Sequence, residues 1–206
     1  LDYKKHEKQI KENIGFVYDD HVFYEHLTLL EMKKVIAPLY KRWDDSLFNA
    51  YVGKFQLPLK KKLKTFSKGM LMKASLAIAL SHHAELIIMD EPTAGLDPVF
   101  RRELLAILHE LVQDGEKTIF CSTHITSDLD RIADYIVFLH NGELQFTDEF
   151  LAIEERFVLV KGGLELLDKD TEKEFIAIQK TKLGFEGLSK NKEQVMNLFG
   201  EFALYE

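Results

Sequence analysis

The sequence predicts an α/β protein built on a largely parallel sheet, and three observations carry that expectation. Between residues 14 and 146, short β-rich runs alternate with longer helical patterns, the arrangement of a parallel sheet flanked by helices on both faces. The run Leu86-Ile87-Ile88-Met89 is apolar throughout and stops at two adjacent carboxylates, Asp90 and Glu91. A buried strand ends this way at the carboxyl edge of an open sheet, where such sheets bind ligands. Finally, Asp97-Pro98 pairs a capping acid with a proline suited to the first helical position, so a helix starts soon after that strand.

The elements follow in order. Ile14-Gly15-Phe16-Val17 reads as a short strand, ended by Asp19 and Asp20. From Leu29 to Tyr40, the residues Leu30, Met32, Val35, Ile36 and Leu39 recur at helical spacing, with Pro38 set to kink or end the helix. Asp44 to Phe55 predicts a second short helix, closed before Pro58. Together they make a small helical insert over about residues 20–70. Leu71 to Leu80 is apolar on nearly every side, which places that helix in the interior. After the strand at Leu86, a helix begins at Asp97-Pro98, buries Leu104, Leu105, Leu108, Leu111 and Val112, and closes near Gly115.

Thr118 to Ser122 is β-branched and aromatic and predicts another strand, and Thr126 is the expected cap of a helix with Asp128 in its first turn. Tyr135 to Leu139, the turn Asn141-Gly142 and Glu143 to Phe146 predict a hairpin. The pattern changes after about residue 150. Phe157 to Lys161, Phe175 to Ile178 and Phe199 to Leu204 are short strand candidates, with Gly162-Gly163, Gly184 and Gly187 at turns. The expected organisation is a main α/β domain over residues 1–150 and a small α/β appendage over 151–206.

Composition narrows the class. A hydrophobic share of 46% beside 30% charged residues fits a folded chain rather than a disordered one. The net charge of −7 argues against a general nucleic-acid binder, and Lys60-Lys61-Lys62 reads as solvated surface. Cys121 is the single cysteine; it reads as a strand residue in a protein of a reducing compartment, with no internal disulfide to make. No apolar run approaches the roughly 18 residues that a membrane span requires, and no signal peptide precedes the charged N-terminal segment. Opening on Leu1 rather than Met, the chain reads as an internal piece of something longer.

The carboxylates suggest chemistry. Neighbours at a strand end point to opposite sides, so Asp90 can reach a magnesium ion while Glu91 reaches a water. Phosphoryl transfer requires metal charge neutralisation and a positioned water. Both acids could equally be loop carboxylates, but Pro92-Thr93-Ala94-Gly95-Leu96-Asp97 adds a tightly shaped turn. His124 follows the next strand in Ser122-Thr123-His124, on the same sheet edge as Asp90, where its ring could meet a terminal phosphate or the water. Phe66-Ser67-Lys68-Gly69-Met70 precedes the buried helix, and its serine and amides either hold an anion or only cap the helix.

Taken together over about residues 10–147, these motifs resemble the ATP-binding subunit of an ABC transporter, a P-loop NTPase-like fold. The resemblance implies Asp90 as the magnesium ligand, Glu91 as general base and His124 as the switch histidine. It makes Ala94-Gly95-Leu96-Asp97 the loop that crosses the subunit interface, with Asp97 near the cofactor. Phe66 to Met70 is similar to the family signature Leu-Ser-Gly-Gly-Gln; Ser67 and Gly69 keep it, and Lys68 and Met70 depart from it. Ser67 and Gly69 would touch the nucleotide held by the opposite subunit. Asp19 stands where the family usually carries a magnesium-sensing glutamine.

The same resemblance implies ATP and Mg2+ as cofactors, a second ATPase subunit and a transmembrane permease as partners, and a peripheral position on the cytoplasmic face of the membrane. Nucleic acid is not an expected partner. A bacterial exporter-like branch with a small C-terminal appendage fits Lys161-Gly162-Gly163 and Gly184-Phe185-Glu186-Gly187. The sequence has no Gly-Lys-Ser or Gly-Lys-Thr phosphate loop. The expectation is therefore a fold lacking its N-terminal phosphate-loop part, which binds ATP weakly and is inactive in isolation. Two other readings stay open: a soluble non-transport ABC-type ATPase and a catalytically silent regulatory subunit.

Overall fold

The computed structural model describes residues 2–19 and 23–205, without the side chain of Tyr3. Leu1, Asp20 and the first positions of the expected helical insert lie outside the described residues. By its contacts the chain divides into two compact units, Leu1–Ile132 and Ala133–Glu206.

The first unit opens with helix α1 (Tyr3–Glu12), whose N-terminal amides at Lys4 and Lys5 donate to the Asp2 carboxylate. Strand β1 (Ile14–Val17) follows. Helix α2 (Leu29–Ile36) starts with a reciprocal Thr28–Glu31 capping box and gives way to a 3₁₀ turn, Ala37–Leu39, at Pro38, because proline supplies no amide to continue the ladder. Asp44 caps α3 (Asp45–Lys54), and Ser67 caps α4 (Lys68–Leu80). Strand β2 (Leu86–Asp90), helix α5 (Pro98–Val112) and strand β3 (Thr118–Ser122) complete the main layers. Thr126 is not a cap. It opens a 3₁₀ turn, Thr126–Asp128, that leads into the four-residue α6 (Leu129–Ile132), and the nearby side-chain bond runs from the Ile125 amide to the Thr123 hydroxyl.

The sheet is parallel with order β1-β2-β3. Phe16, Ile88 and Phe120 stand in one row and Val17, Met89 and Cys121 in the next. Val17, Ile87 and Met89 are buried with Met72, Leu76 and Leu80 of α4 and with Leu104 and Leu108 of α5. Gly15 lets the strand approach α4 closely, since a Cβ there would lie 2.9 Å from the Ala79 carbonyl oxygen. The other face departs from the expectation of a sheet covered on both sides: Phe16 is 41% and Phe120 57% exposed. The strand order explains this. Right-handed crossovers that progress in one direction put their helices on one side of a sheet, and both α4 and α5 join the same buried cluster.

The expectation of a fold lacking its N-terminal part is corrected. The N-terminal core is present as α1, β1 and α2, with β1 paired to β2 over four registered positions.

At the end of α4, His82 is 1% exposed and stacks on Tyr40, with ring centroids 3.8 Å apart. Its Nδ1 lies 3.1 Å from the Glu12 carbonyl oxygen, while Nε2 has no partner among the described residues. Burial pushes the imidazole below its ordinary value of 6.5, against a smaller opposing effect of the Glu12 carbonyl. The unfolded chain therefore takes up the proton first as pH falls. This residue's contribution to stability is intact above about 6.5 and is lost progressively below it. Urea unfolding at about pH 7 and about pH 5.5 should show a smaller loss in His82→Gln than in the natural protein; equal losses would contradict it.

The second unit holds two sheets. Strands β4 (Tyr135–His140) and β5 (Glu143–Glu149) form the expected hairpin. Asn141 at φ 50° and Gly142 at φ 79° make the left-handed two-residue turn such hairpins favour. This hairpin, which the sequence reading groups with the main domain, falls within the second unit. After α7 (Phe150–Arg156) come β6 (Val158–Gly162), β7 (Ala177–Lys180), β8 (Phe185–Ser189), α8 (Lys192–Phe199) and β9 (Leu204–Tyr205). The last four strands pair antiparallel in the order β7-β8-β6-β9. The expected strand from Phe199 to Leu204 is mostly something else: Phe199 ends α8, because Val195 and Phe199 bury together at helical spacing, and only Leu204–Tyr205 pairs with β6.

Candidate functional site

Strands β2 and β3 run parallel and end at the same edge, with Asp90 paired in register to Ser122. The Ser122 hydroxyl donates to Asp90 Oδ1 at 2.6 Å. The Glu91 amide donates to the Ser122 carbonyl at 3.1 Å. Glu91 itself adopts φ 44°, a left-handed conformation rare outside glycine. The simple alternation of side chains expected for Asp90 and Glu91 thus ends at Asp90. Beyond it the chain turns tightly, with the Ala94 amide donating to the Glu91 carbonyl at 3.1 Å and Gly95 at φ 67°. Thr93 is buried in this turn, and its hydroxyl has no partner among the described residues.

The turn carries Glu91 to the histidine. Glu91 Oε2 lies 2.8 Å from His124 Nδ1 and accepts the His124 amide at 3.3 Å. Three quarters of the Glu91 side chain is covered, while the His124 side chain is 72% exposed. The two residues read separately, one for a water and one for a phosphate, therefore touch. Asp90 stands beside them, held through Ser122. The nearby Cys121 thiol is pushed up, first by burial and then by the charges of Asp128 and Glu91, which leaves it a poor nucleophile.

The remaining site residues gather around two helix starts. Asp97 accepts the amides of Val99 and Phe100 at 3.1 and 3.0 Å and so caps α5. Ser67 accepts the Met70 amide at 3.2 Å and caps α4. Gly69 lies against the Phe100 ring, where a Cβ would come within 2.8 Å of it; the starts of α4 and α5 meet there. Asp19 pairs with Lys68, Nζ to Oδ1 at 2.9 Å. That ammonium also lies 3.4 Å from where a Cβ on Gly95 would be. Among the described residues, neither Ser67 nor Gly69 has a side-chain hydrogen bond to Asp90, Glu91 or His124.

Sequence reasoning missed the roles of four participants. Ser122 was visible only as the residue before Thr123-His124, and its role depends on strand register. Lys68 was visible as an irregular signature residue. Asp128 was visible only as a first-turn helix acid and Arg101 carries no local signal, yet the guanidinium of Arg101 reaches Asp128 at 2.7 and 2.8 Å and Ser127 at 3.0 Å, tying α5 to the turn after His124.

A magnesium ion fits these donors in one way. No group of three or more His, Cys, Asp or Glu able to hold a metal occurs among the described residues. Magnesium needs no such cage, since it is held by one or two carboxylates together with waters and substrate phosphates. Asp90, braced by the Ser122 hydroxyl, supplies an oxygen donor of that kind.

Comparison with known proteins decides the family. Residues 2–94 match the family model described as ABC transporter. This stretch of the chain belongs to the ABC transporter family. The match starts at residue 2, not near residue 10, and so includes the N-terminal core; the expectation of a missing N-terminal phosphate-loop portion is corrected accordingly. The expectation of weak binding by the isolated chain rested on that absence.

Among its relatives, the bacitracin transport ATP-binding protein BcrA of Bacillus licheniformis is 37% identical over 144 residues, covering 68% of this chain and 46% of the relative. The ABC transporter ATP-binding protein sll0415 of Synechocystis is 35% identical over 170 residues, covering 77% and 48%. The chain spans about half the length of the curated relatives it matches.

Among solved structures, the ATP-binding subunit of an ABC transporter aligns with a TM-score of 0.63 at 28% identity, over 74% of this chain and 65% of that one. A dimeric ATP-binding cassette, MJ0796, in a post-hydrolysis state with ADP and Pi, aligns with a TM-score of 0.61 over 72% and 68%. At 23% identity that second likeness concerns the fold alone.

Proposed function

We propose that this ABC transporter chain binds and hydrolyses ATP and thereby drives a separate membrane permease. The observation that carries the reading is the Glu91–His124 contact beside Asp90 at one sheet edge. Glu91 accepts the proton of the water that attacks the terminal phosphate. His124 orients that carboxylate through Nδ1 and leaves its exposed ring edge toward the phosphate. Asp90 would hold magnesium, whose charge offsets that of the phosphates. Asp19 and Asp97 line this nucleotide from the end of β1 and the start of α5, while Ser67 and Gly69, at the start of α4, meet the nucleotide held by the opposite subunit.

The assembly proposed is a pair of ATPase subunits on the cytoplasmic face of the membrane, docked on a permease. The transport names of the relatives support the permease. No described helix is long and apolar enough to cross a membrane, so the permease would be a different polypeptide segment. The sheet of β6 to β9, within residues 151–206, is read as an accessory domain.

Steady-state ATP hydrolysis tests the reading. His124→Ala should cut turnover at least about tenfold while leaving the unfolding midpoint near that of the natural protein, because the ring is mostly exposed. Turnover within twofold would remove His124 from the mechanism.

A further inference from the structure

Two places where this chain differs from the family pattern it resembles are in contact. Asp19 occupies the position where that pattern has a neutral glutamine, and Lys68 occupies a glycine position of the signature. The structure joins them, Lys68 Nζ to Asp19 Oδ1 at 2.9 Å across 49 positions of sequence. Asp19 follows β1, and β1 runs parallel to β2, so its carboxylate stands at the edge that already presents Asp90 and Glu91. A third acid beside an anionic polyphosphate repels it unless a cation is near. Lys68, the first residue of α4, is that cation, and it also lies beside the Gly95 turn.

We infer that Lys68 is a positioning residue for Asp19: the two departures are one compensating ion pair that neutralises and aims the extra carboxylate at the nucleotide edge. The inference rests on the ATPase reading for its function, though not for the contact. Each partner keeps 38% of its side-chain surface exposed, so the pair is partly screened and its effect is moderate.

The test is a double-mutant cycle in the whole protein with Asp19→Asn, Lys68→Met and both together. In urea unfolding at low salt, the change in folding equilibrium of the double variant should differ from the product of the single changes by about fivefold, the most a partly exposed pair supplies. That difference should vanish in about 1 M salt. In ATP hydrolysis, Lys68→Met should raise the KM for MgATP about fivefold with kcat within twofold, because it leaves Asp19 unpaired against the phosphates. The double variant, with no unpaired carboxylate left against the phosphates, should lower KM at least twofold below that of Lys68→Met.

Single changes that simply multiply in the unfolding cycle would overturn the ion pair. A clear unfolding coupling with an unmoved KM would reduce it to structure and overturn the positioning role. A natural protein with no MgATP turnover would overturn the ATPase reading, and the positioning role with it, while the unfolding cycle would still report the pair.

Discussion

Replacing Glu91 by glutamine is expected to lower ATP turnover by about a hundred- to ten-thousand-fold, the usual worth of a positioned general base. The substitution preserves shape and leaves an oxygen that can still accept from the His124 amide and ring, so the geometry at the strand end should survive. Only the basicity is lost. Unfolding stability should stay within about 0.5 kcal/mol of the natural value, as for most substitutions that break no buried contact. Under the proposed pairing, loss of hydrolysis without loss of binding should accumulate ATP-bound dimer, visible by size-exclusion chromatography with light scattering. Turnover near that of the natural protein would show that another group takes the proton.

The second large effect is structural. Arg101→Ala removes the guanidinium that holds Asp128, a side chain only 5% exposed, and leaves that carboxylate buried and uncompensated. Its second oxygen already lacks a partner among the described residues, so nothing nearby can take over. Breaking a buried pair from one side typically costs about 3–5 kcal/mol, which for a domain of this size lowers the unfolding midpoint by roughly 10 °C. Asp128→Asn in the Arg101→Ala background should recover part of the loss by removing the stranded charge. A thermal melt in which Arg101→Ala shifts the midpoint by less than about 2 °C would show that the carboxylate is effectively hydrated.

Much of this molecule was legible in its sequence because the signals are local. The Asp97-Pro98 helix start, the Ser67 cap, the break at Pro38 and the Asn141-Gly142 turn depend on a few adjacent residues and their backbone preferences. Strands β1, β2 and β3 were legible because short runs of apolar, β-branched and aromatic residues end in polar ones. The second unit was harder to read: Phe199 looked like a strand residue until Val195, one helical turn earlier, is seen to share its burial. The N-terminal region was misjudged because the expectation turned on one absent motif rather than on the match that begins at residue 2.

By itself, the sequence determined which residue types could do chemistry and that Asp90, Glu91 and His124 follow strand ends, since apolar patterning and turn residues are written in the local chain. Only the tertiary structure decided who meets whom. Strand register set Ser122 against Asp90, and the left-handed backbone at Glu91 turned its carboxylate onto His124. Folding likewise brought Lys68 to Asp19 and Arg101 to Asp128. Strand order put both crossover helices on one face of the sheet. The physical reason is the same in each case: register, strand order and long-range ion pairs are properties of segments packed together, and no window of the chain short enough to read locally contains both partners.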